Sequence, residues 1–389
     1  MRRVRLRPGR DGPVRAGHPW IFSRAIADGL EGAEPGEPVA VTSANGRFVA
    51  AGYCHPRTSI AVRVLTLEDE PVDGALVARR VDAALALRRL HLPAELAAYR
   101  VVNGEGDGLP GMVADRYGDF VVVQLLTAGA ARLGAALVDA LVARLEPRGV
   151  FERSEGAVRA EEGVAGARGL VRGESPPARL AIDDHGSRFL VDVEHGQKTG
   201  FFLDQRAARL RTRALAQGRR VLNAFSYTGA FAIAAARGGA VHVTSVDTSR
   251  PALELGEAAW AENGLEPAAA TWICGDVFDV LRDARDRYDL VILDPPPFIR
   301  RRRDVVSGLR GYRDVNLQAL RRLEPGGLLL TASCSQHLSR HDFREVVASA
   351  AADAGRPATV VAEWGHGPDH PVALAHREGE YLKVLLLRA

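Results

Sequence analysis

The sequence predicts an α/β protein: a doubly wound sheet forms its carboxyl-terminal half, behind a small amino-terminal β-barrel and a central α+β domain. Three observations lead there. From Phe189 onward, short apolar runs alternate with helix-patterned stretches, the signature of parallel strand–helix units. Residues 1–67 instead hold short strands separated by turns, with Asn45-Gly46 a strong hairpin signal between two of them. At 389 residues the chain is too long for one ordinary core. The expected domains are residues 1–68, 69–187 and 188–389.

In the first domain, strands are expected at residues 3–6, 38–42, 47–53 and 60–67. His18-Pro-Trp-Ile-Phe22 supplies an aromatic cluster that would plug the barrel, with base stacking as the alternative. Residues 1–67 carry ten Arg against five Asp or Glu, net +5 in a chain of net +3. Such a basic unit suits a polyanion partner or a merely solvated surface. The middle domain offers an amphipathic helix over residues 72–90, with Arg79, Arg80, Arg88 and Arg89 on one face. The loop Asn103-Gly-Glu-Gly-Asp-Gly-Leu-Pro-Gly111 follows. Its glycines could cradle phosphate, but Glu105 and Asp107 would repel an anion, which favours a plain turn. A hairpin pairs residues 112–115 with 120–126, a second helix covers 130–145, and another hairpin turns at His185-Gly186. In the third domain strands are expected at 220–224, 242–247, 270–276, 289–294, 327–333, 359–363 and 381–387. The helices between them cover 230–237, 251–263, 277–287, 311–323 and 341–354.

The third domain is organised around Tyr288-Asp-Leu-Val-Ile-Leu-Asp294-Pro-Pro-Pro-Phe298. Its uncharged apolar core reads as a strand buried on both faces, and three prolines, which cannot donate to a ladder, end it. A carboxylate therefore stands at the carboxyl end of a central strand, the edge where open α/β sheets bind ligands. The other strands end in Phe225-Ser-Tyr-Thr-Gly229, Asp247, Asp276 and Cys334. Asp247 lies 18 residues past Gly229, close to where nucleotide-binding α/β domains place a ribose-binding carboxylate. Gly229 opens a helix and lets a ligand approach the backbone, and Asp276 could accept from an adenine amino group. Each Asp alone reads as a helix cap; four successive strand ends do not. Only one glycine follows the first strand, too few for a dinucleotide pyrophosphate. An adenosine-bearing ligand without phosphate fits better, and S-adenosylmethionine is such a ligand.

Cys334 selects among the chemistries. It ends an apolar strand, in Thr331-Ala-Ser-Cys-Ser-Gln-His337, beside the strand that ends in Asp294. Carbon 5 of cytosine is too weak a nucleophile to take a methyl group unaided. Thiolate addition at C6 makes C5 enamine-like, and a carboxyl group near N3 steadies the ring charge. A buried inert cysteine is the alternative.

The sequence resembles the RlmI/RlmO-type large-subunit rRNA cytosine-C5 methyltransferases over nearly its whole length. The resemblance rests on the aromatic cluster from His18, on Gly104–Gly111, on Gly196-Gln-Lys-Thr-Gly-Phe-Phe-Leu-Asp-Gln-Arg206 and on Asn223–Gly229. It extends to Ser245-Val-Asp247, Asp294-Pro-Pro, Arg310-Gly-Tyr-Arg-Asp314 and Ser333-Cys-Ser335. It implies a PUA domain, a central domain that supports RNA binding, and a class I methyltransferase domain. It also implies S-adenosylmethionine as methyl donor, 23S rRNA as partner, and Cys334 and Asp294 as catalytic residues. The donor would meet Phe225, Tyr227, Gly229, Asp247, Asp276 and Asp294, with Lys198 beside the cleft and Arg206 as a candidate for its carboxylate. Pro297 replaces a Lys found in many members, and no second cysteine follows the Asp-Pro-Pro motif, which leaves the C5 proton acceptor unassigned, with His337 or a water as candidates. A guanine-directed methyltransferase and an RNA-binding ribosome-assembly factor remain the alternative functions.

Bulk composition agrees with a cytoplasmic protein that needs neither metal nor membrane. No apolar run approaches the roughly 18–20 residues that span a bilayer, and the start, Met1-Arg-Arg-Val-Arg-Leu-Arg, lacks a signal peptide's apolar core. Three widely spaced cysteines, Cys54, Cys274 and Cys334, suit free thiols in a reducing compartment. Of 51 basic residues only Lys198 and Lys383 are lysine, so each is expected where a compact point charge is wanted. Four consecutive arginines, Arg300 to Arg303, follow the Asp294 loop and would meet RNA phosphates, as would Arg310 and Arg313. Assembly as a homodimer is left open.

Overall fold

The structure is a computed structural model that describes residues 1–283 and 286–389. These residues form two units. The first comprises Met1–Leu180, Asp192–Leu203 and Pro368–Gly379; the second comprises Ala181–Val191, Asp204–Gly367 and Glu380–Ala389.

The first unit contains two sheets. Six strands form the amino-terminal one, in the order Trp20–Phe22, Ile60–Thr66, Phe48–Cys54, Pro38–Thr42, Arg2–Leu6, Ile26–Asp28. Alternate residues such as Val4, Leu6, Val39 and Val41 are fully buried, as a sheet with one face on a core requires. The strands at Trp20 and Ile26 are three residues each, too short for their alternation to be read in sequence. The aromatic cluster does not plug this sheet as expected: Ile21 is buried, but Phe22 is 44% exposed. Trp20 turns instead toward the middle of the unit, its Nε1 donating to Glu105 Oε1 at 2.8 Å and its ring 4.4 Å from that of His376.

The second sheet runs Ala167–Gly173, Gly149–Ser154, Phe120–Leu125, Met112–Tyr117, Ala98–Asn103. Helices Gly74–His91 and Ala128–Leu145 share its core, through Val77, Val81, Leu137 and Leu141. Each helix begins at a side-chain cap: Asp73 accepts from the Ala75 and Leu76 amides, and Thr127 from Ala130. The glycine-rich loop is a plain turn. Its Asp107 is held by Arg88 at 2.5 and 2.7 Å and its Glu105 by Trp20. The two sheets are joined by Tyr53, whose hydroxyl donates to the Pro110 carbonyl at 2.8 Å and lies 2.7 Å from Thr127 Oγ1. Gly129 makes room for that ring, since a Cβ there would lie 2.0 Å from it.

The second unit carries a seven-stranded sheet. Its strands are β1 (Arg220–Ala224), β2 (His242–Asp247), β3 (Ala270–Cys274), β4 (Tyr288–Leu293), β5 (Leu323–Ser333), β6 (Thr359–Trp364) and β7 (Lys383–Arg388). Helices α1 (Arg206–Leu215), α2 (Ala230–Arg237), α3 (Arg250–Glu262), α4 (Val277–Asp283), α5 (Val305–Arg321) and α6 (Arg340–Asp353) connect or flank them. The order is β3-β2-β1-β4-β5-β7-β6. The first five strands pair in parallel, and β7 inserts antiparallel between β5 and β6. Every strand of the expected alternation is present. The expected helix over 277–287 includes residues 284–285, which lie outside the described residues. Helix α5 starts at Val305, six residues before the expected 311. Helix α1 has no counterpart among the expected elements: it is rich in arginine, and Arg206 and Arg209, 5% and 3% exposed, face inward where an amphipathic pattern would put apolar residues.

Replacing Gly129 by Val would drive a branched side chain into the Tyr53 ring. Such overpacking costs about 1–3 kcal/mol, so the melting temperature should fall by several degrees, as measured by differential scanning fluorimetry. An unchanged melting temperature would show that the ring is free to move aside.

Candidate active site

The loop after β1 is shaped by unusual backbone. Phe225 and Tyr227 have φ of 59° and 47°, and Gly229 has φ of 70°. Left-handed conformations at two non-glycine residues cost roughly 1–3 kcal/mol each and persist only where the surroundings enforce them. Here β2 enforces them. The Ser226 amide donates to the Val246 carbonyl at 2.9 Å, and the Tyr227 amide to Asp247 Oδ2 at 2.8 Å. Gly229 then opens α2, and a Cβ at this position would lie 2.6 Å from the Trp272 ring. Asp247 Oδ1 accepts from the Ser249 amide at 2.9 Å. Asp276 is exposed and caps α4, accepting from Phe278 at 2.8 Å.

A wall of aromatic rings stands over these strand ends. Phe225, Phe278 and Phe298 lie with ring centroids 5.9–6.3 Å apart, and Phe298 continues to Tyr312 at 4.7 Å. All three phenylalanines are only half-buried. Of the three, Phe225 alone is named from the sequence as a donor contact. Phe278 and Phe298 are brought in by the first turn of α4 and by the proline loop.

Asp294 follows β4 directly and is half-buried, its Oδ1 accepting from Gln205 Nε2 at 2.7 Å. Spacing does not reveal this partner of Asp294, although Gln205 lies in one of the motifs behind the family resemblance. Cys334 follows β5 and is half-buried, with Sγ 3.9 Å from the Pro295 carbonyl oxygen. The sheet thus brings the cysteine beside the residue that follows Asp294. Around the thiol the backbone is held by buried hydroxyls. Ser333 Oγ donates to the Tyr312 hydroxyl at 3.0 Å, the Tyr312 and Ser335 hydroxyls are 2.9 Å apart, and the Ile299 amide donates to Ser335 Oγ at 3.1 Å. Burial pushes the Tyr312 phenol above its ordinary range. Lys383 Nζ donates to the Ser335 carbonyl at 2.6 Å. Spacing singles out neither Tyr312 nor Lys383, although Tyr312 lies in the Arg310–Asp314 motif and Lys383 is one of two lysines.

The other residues singled out from the sequence have the following surroundings. Lys198 belongs to the first unit, where its Nζ sits 4.3 Å from the centre of the Phe202 ring. Arg206 is buried in the second unit, its Nε donating to Asp184 Oδ1 at 3.1 Å, while Arg209 donates to Asp184 Oδ2 at 2.6 Å. Arg300 to Arg303 are exposed at the end of the proline loop. His337 is exposed. Among the described residues no group of three His, Cys, Asp or Glu could hold a metal, and no helix is long and apolar enough to cross a membrane.

Comparison with known proteins agrees with this architecture. Residues 167–360 match a family described as S-adenosylmethionine-dependent methyltransferase, and residues 4–67 match one described as a PUA-like domain. The chain is 43% identical to the ribosomal RNA large subunit methyltransferase I of Salmonella arizonae, over 99% of this chain and 97% of that protein. With the Escherichia coli protein of the same name the identity is 42%, over 99% of each. In fold it is similar to a SAM-dependent methyltransferase from Streptococcus mutans, with 24% identity, full coverage of both chains and a TM-score of 0.85.

The strand ends fit an adenosine-bearing donor. Asp247 stands at a strand end beside a strained loop, an apolar aromatic wall adjoins it, and Asn223, Ser226 and Ser245 hold buried polar atoms without a protein partner among the described residues.

Asp184 gives this unit an acid-sensitive joint. Burial pushes its carboxyl up, but Arg209 and Arg206 outweigh that and bring it down to about 2. A depressed carboxyl pKa stabilises the fold above the unfolded value, and the contribution is lost as pH falls through the folded one. From about pH 4 to pH 2 the protein should therefore lose on the order of 2 kcal/mol through this group. In Asp184→Asn two arginines are left buried without their carboxylate, at a cost of about 3–5 kcal/mol near neutral pH. Urea denaturation should show the variant's deficit shrinking toward pH 2; a deficit constant with pH would contradict the assignment.

Proposed function

Since the chain belongs to the ribosomal RNA large subunit methyltransferase I family, whose members use S-adenosylmethionine, we propose that it methylates C5 of a cytosine in 23S rRNA through a transient bond from Cys334 to C6. The observation that carries the reading is the placement of a half-buried thiol 3.9 Å from the backbone of the residue after Asp294, at adjacent strand ends. A guanine-directed enzyme would have no need of that thiol.

S-adenosylmethionine supplies a methyl group bound to a sulfonium. Asp247 would accept from its ribose hydroxyls, Asp276 from its adenine amino group, and Phe225 with Tyr227 and Gly229 would shape the floor beneath it. Arg206 is proposed for its carboxylate and would have to share its guanidinium with Asp184, while Lys198 is proposed as a residue beside the donor. The reacting groups of the chain then act on the cytosine. Cys334 sulfur donates an electron pair to C6, and the displaced C5–C6 pair makes C5 a nucleophile. The Asp294 carboxyl, oriented by Gln205, steadies the charge that develops toward N3. After methylation the C5 proton passes to a base, the C5=C6 bond re-forms, and the sulfur leaves C6 as thiolate.

The RNA is proposed to meet the exposed arginines that follow the proline loop. Their position supports this: a single 3-10 turn at Arg302–Asp304 presents them just before α5.

Cys334→Ala should lower methyl transfer by at least about 10³-fold, as expected for loss of an attacking nucleophile, while calorimetry shows donor affinity unchanged. Digestion of the product RNA and mass analysis should give 5-methylcytidine. Undiminished turnover, or a methylated guanosine, would contradict the proposal. Changing Arg300, Arg301, Arg302 and Arg303 together to Ser should weaken RNA binding and flatten its salt dependence. The slope of log K against log salt should fall by about 0.7 to 0.9 for each phosphate that the variant leaves unneutralised. An unaltered slope would place the RNA elsewhere.

A further inference from the structure

Lys383 is one of only two lysines in the chain, and it is 2% exposed. It opens β7 directly opposite Ser333. From there Nζ reaches past the end of β5, donating to the Ser335 carbonyl at 2.6 Å and to the Tyr381 carbonyl at 2.8 Å. Both acceptors are neutral. A buried ammonium ordinarily has a carboxylate beside it, yet among the described residues none forms an ion pair with this one. The group that most favours its charge is the sulfur of Cys334.

We propose that Lys383 is a positioning residue for Cys334: its ammonium fixes the turn that carries the thiol and provides the counter-charge that keeps the sulfur as thiolate. The inference rests on the reading of Cys334 as the attacking group. Electrostatic coupling is mutual, so what the sulfur's charge does for the ammonium, the ammonium does for the sulfur. Burial pushes the lysine down to about 8, with the Cys334 sulfur pulling it up, Arg340 pushing it down and Glu380 pulling it up. The other groups around the pair do not replace it. Tyr312, from α5, is kept neutral by burial. Arg340, at the start of α6, is held by Glu363 at 2.9 Å. Tyr381 donates its hydroxyl to Asp204, and Asp294 accepts from Gln205.

Lysine suits this place better than arginine. A compact ammonium can serve two converging carbonyls from a single atom and keep its charge concentrated there, whereas a planar guanidinium spreads its charge over a fork. The thiol proton goes to solvent before the cycle begins, and Lys383 stays an ammonium throughout. Attack forms the S–C6 bond and the later elimination breaks it, which returns the thiolate to the same counter-charge.

The test is the pH dependence of iodoacetamide alkylation at each cysteine, read by peptide mass spectrometry. Exposed Cys274 serves as a reference within the molecule. In the unaltered protein Cys334 should alkylate with a midpoint about one to three pH units below that of Cys274. In Lys383→Met the Cys334 midpoint should rise by about a unit or more while Cys274 stays put. Methyl transfer should fall at least about tenfold with donor affinity unchanged, and Lys383→Arg should recover part of the lowered midpoint. A Cys334 midpoint in the unaltered protein at or above that of Cys274 overturns the proposal, whether or not the variants fold. So does a Met variant that loses activity without moving the midpoint, which would leave Lys383 a structural tie alone. Because alkylation needs no RNA, its outcome is separate from that of Cys334→Ala: full turnover in that variant would remove the nucleophile and leave the charge pairing measurable.

Discussion

The parallel pairing of β4 with β5 constrains everything chemical in this molecule. Leu293 lies opposite Thr331, so the two chains leave the sheet at nearly one level, Asp294 from one strand and Cys334 from the other. Neither loop is then free to wander. Three prolines deprive the first of amide donors and keep it extended, and the Ile299 amide that follows is captured by Ser335 of the second. Ser333 and Ser335 bracket the cysteine and both meet the Tyr312 hydroxyl. Each such bond contributes only about 1 kcal/mol. Their joint effect is geometric, because they leave the thiol one place to be.

The chain's heavy use of arginine divides its cations by task. Arg88 with Asp107, Arg100 with Asp115, and Arg206 and Arg209 with Asp184 are forks paired with carboxylates in or near the cores. They orient loops and helices, as planar donors do well. Arg300 to Arg303, by contrast, are exposed where the proline loop gives way to α5. Lys383 stands outside both groups. Its acceptors are the Ser335 and Tyr381 backbone carbonyls, and the Cys334 sulfur is the partner in charge proposed for it.

Much of the carboxyl-terminal sheet is legible in the sequence because central parallel strands are apolar throughout and end abruptly. Asp247, Asp294 and Cys334 can be placed at strand ends from that pattern alone. The insertion of β7 between β5 and β6 is not legible, since strand order depends on long-range pairing that local periodicity does not encode. For the same reason Lys383 stands out as rare but cannot be placed behind Cys334. Helix α1 escapes detection because its inward face carries Arg206 and Arg209, which find Asp184 from a distant hairpin rather than apolar neighbours. Trp20 misleads in the opposite direction. Its aromatic surroundings suggest a plug, but its indole N–H seeks Glu105, and a buried donor without a partner is costly. The glycine-rich loop reads correctly as a turn because its own acidic residues argue against an anion.

The central claim is that Cys334 bonds to the target pyrimidine. An rRNA fragment carrying 5-fluorocytosine at the target position tests it most directly, because fluorine at C5 cannot leave as a proton does and the adduct cannot collapse. Incubation with S-adenosylmethionine should give a protein–RNA species that survives denaturing electrophoresis, with mass spectrometry placing the nucleotide and one added methyl group on the peptide containing Cys334. Normal methylation of unmodified RNA without any such adduct, or an adduct on a different residue, would contradict the account.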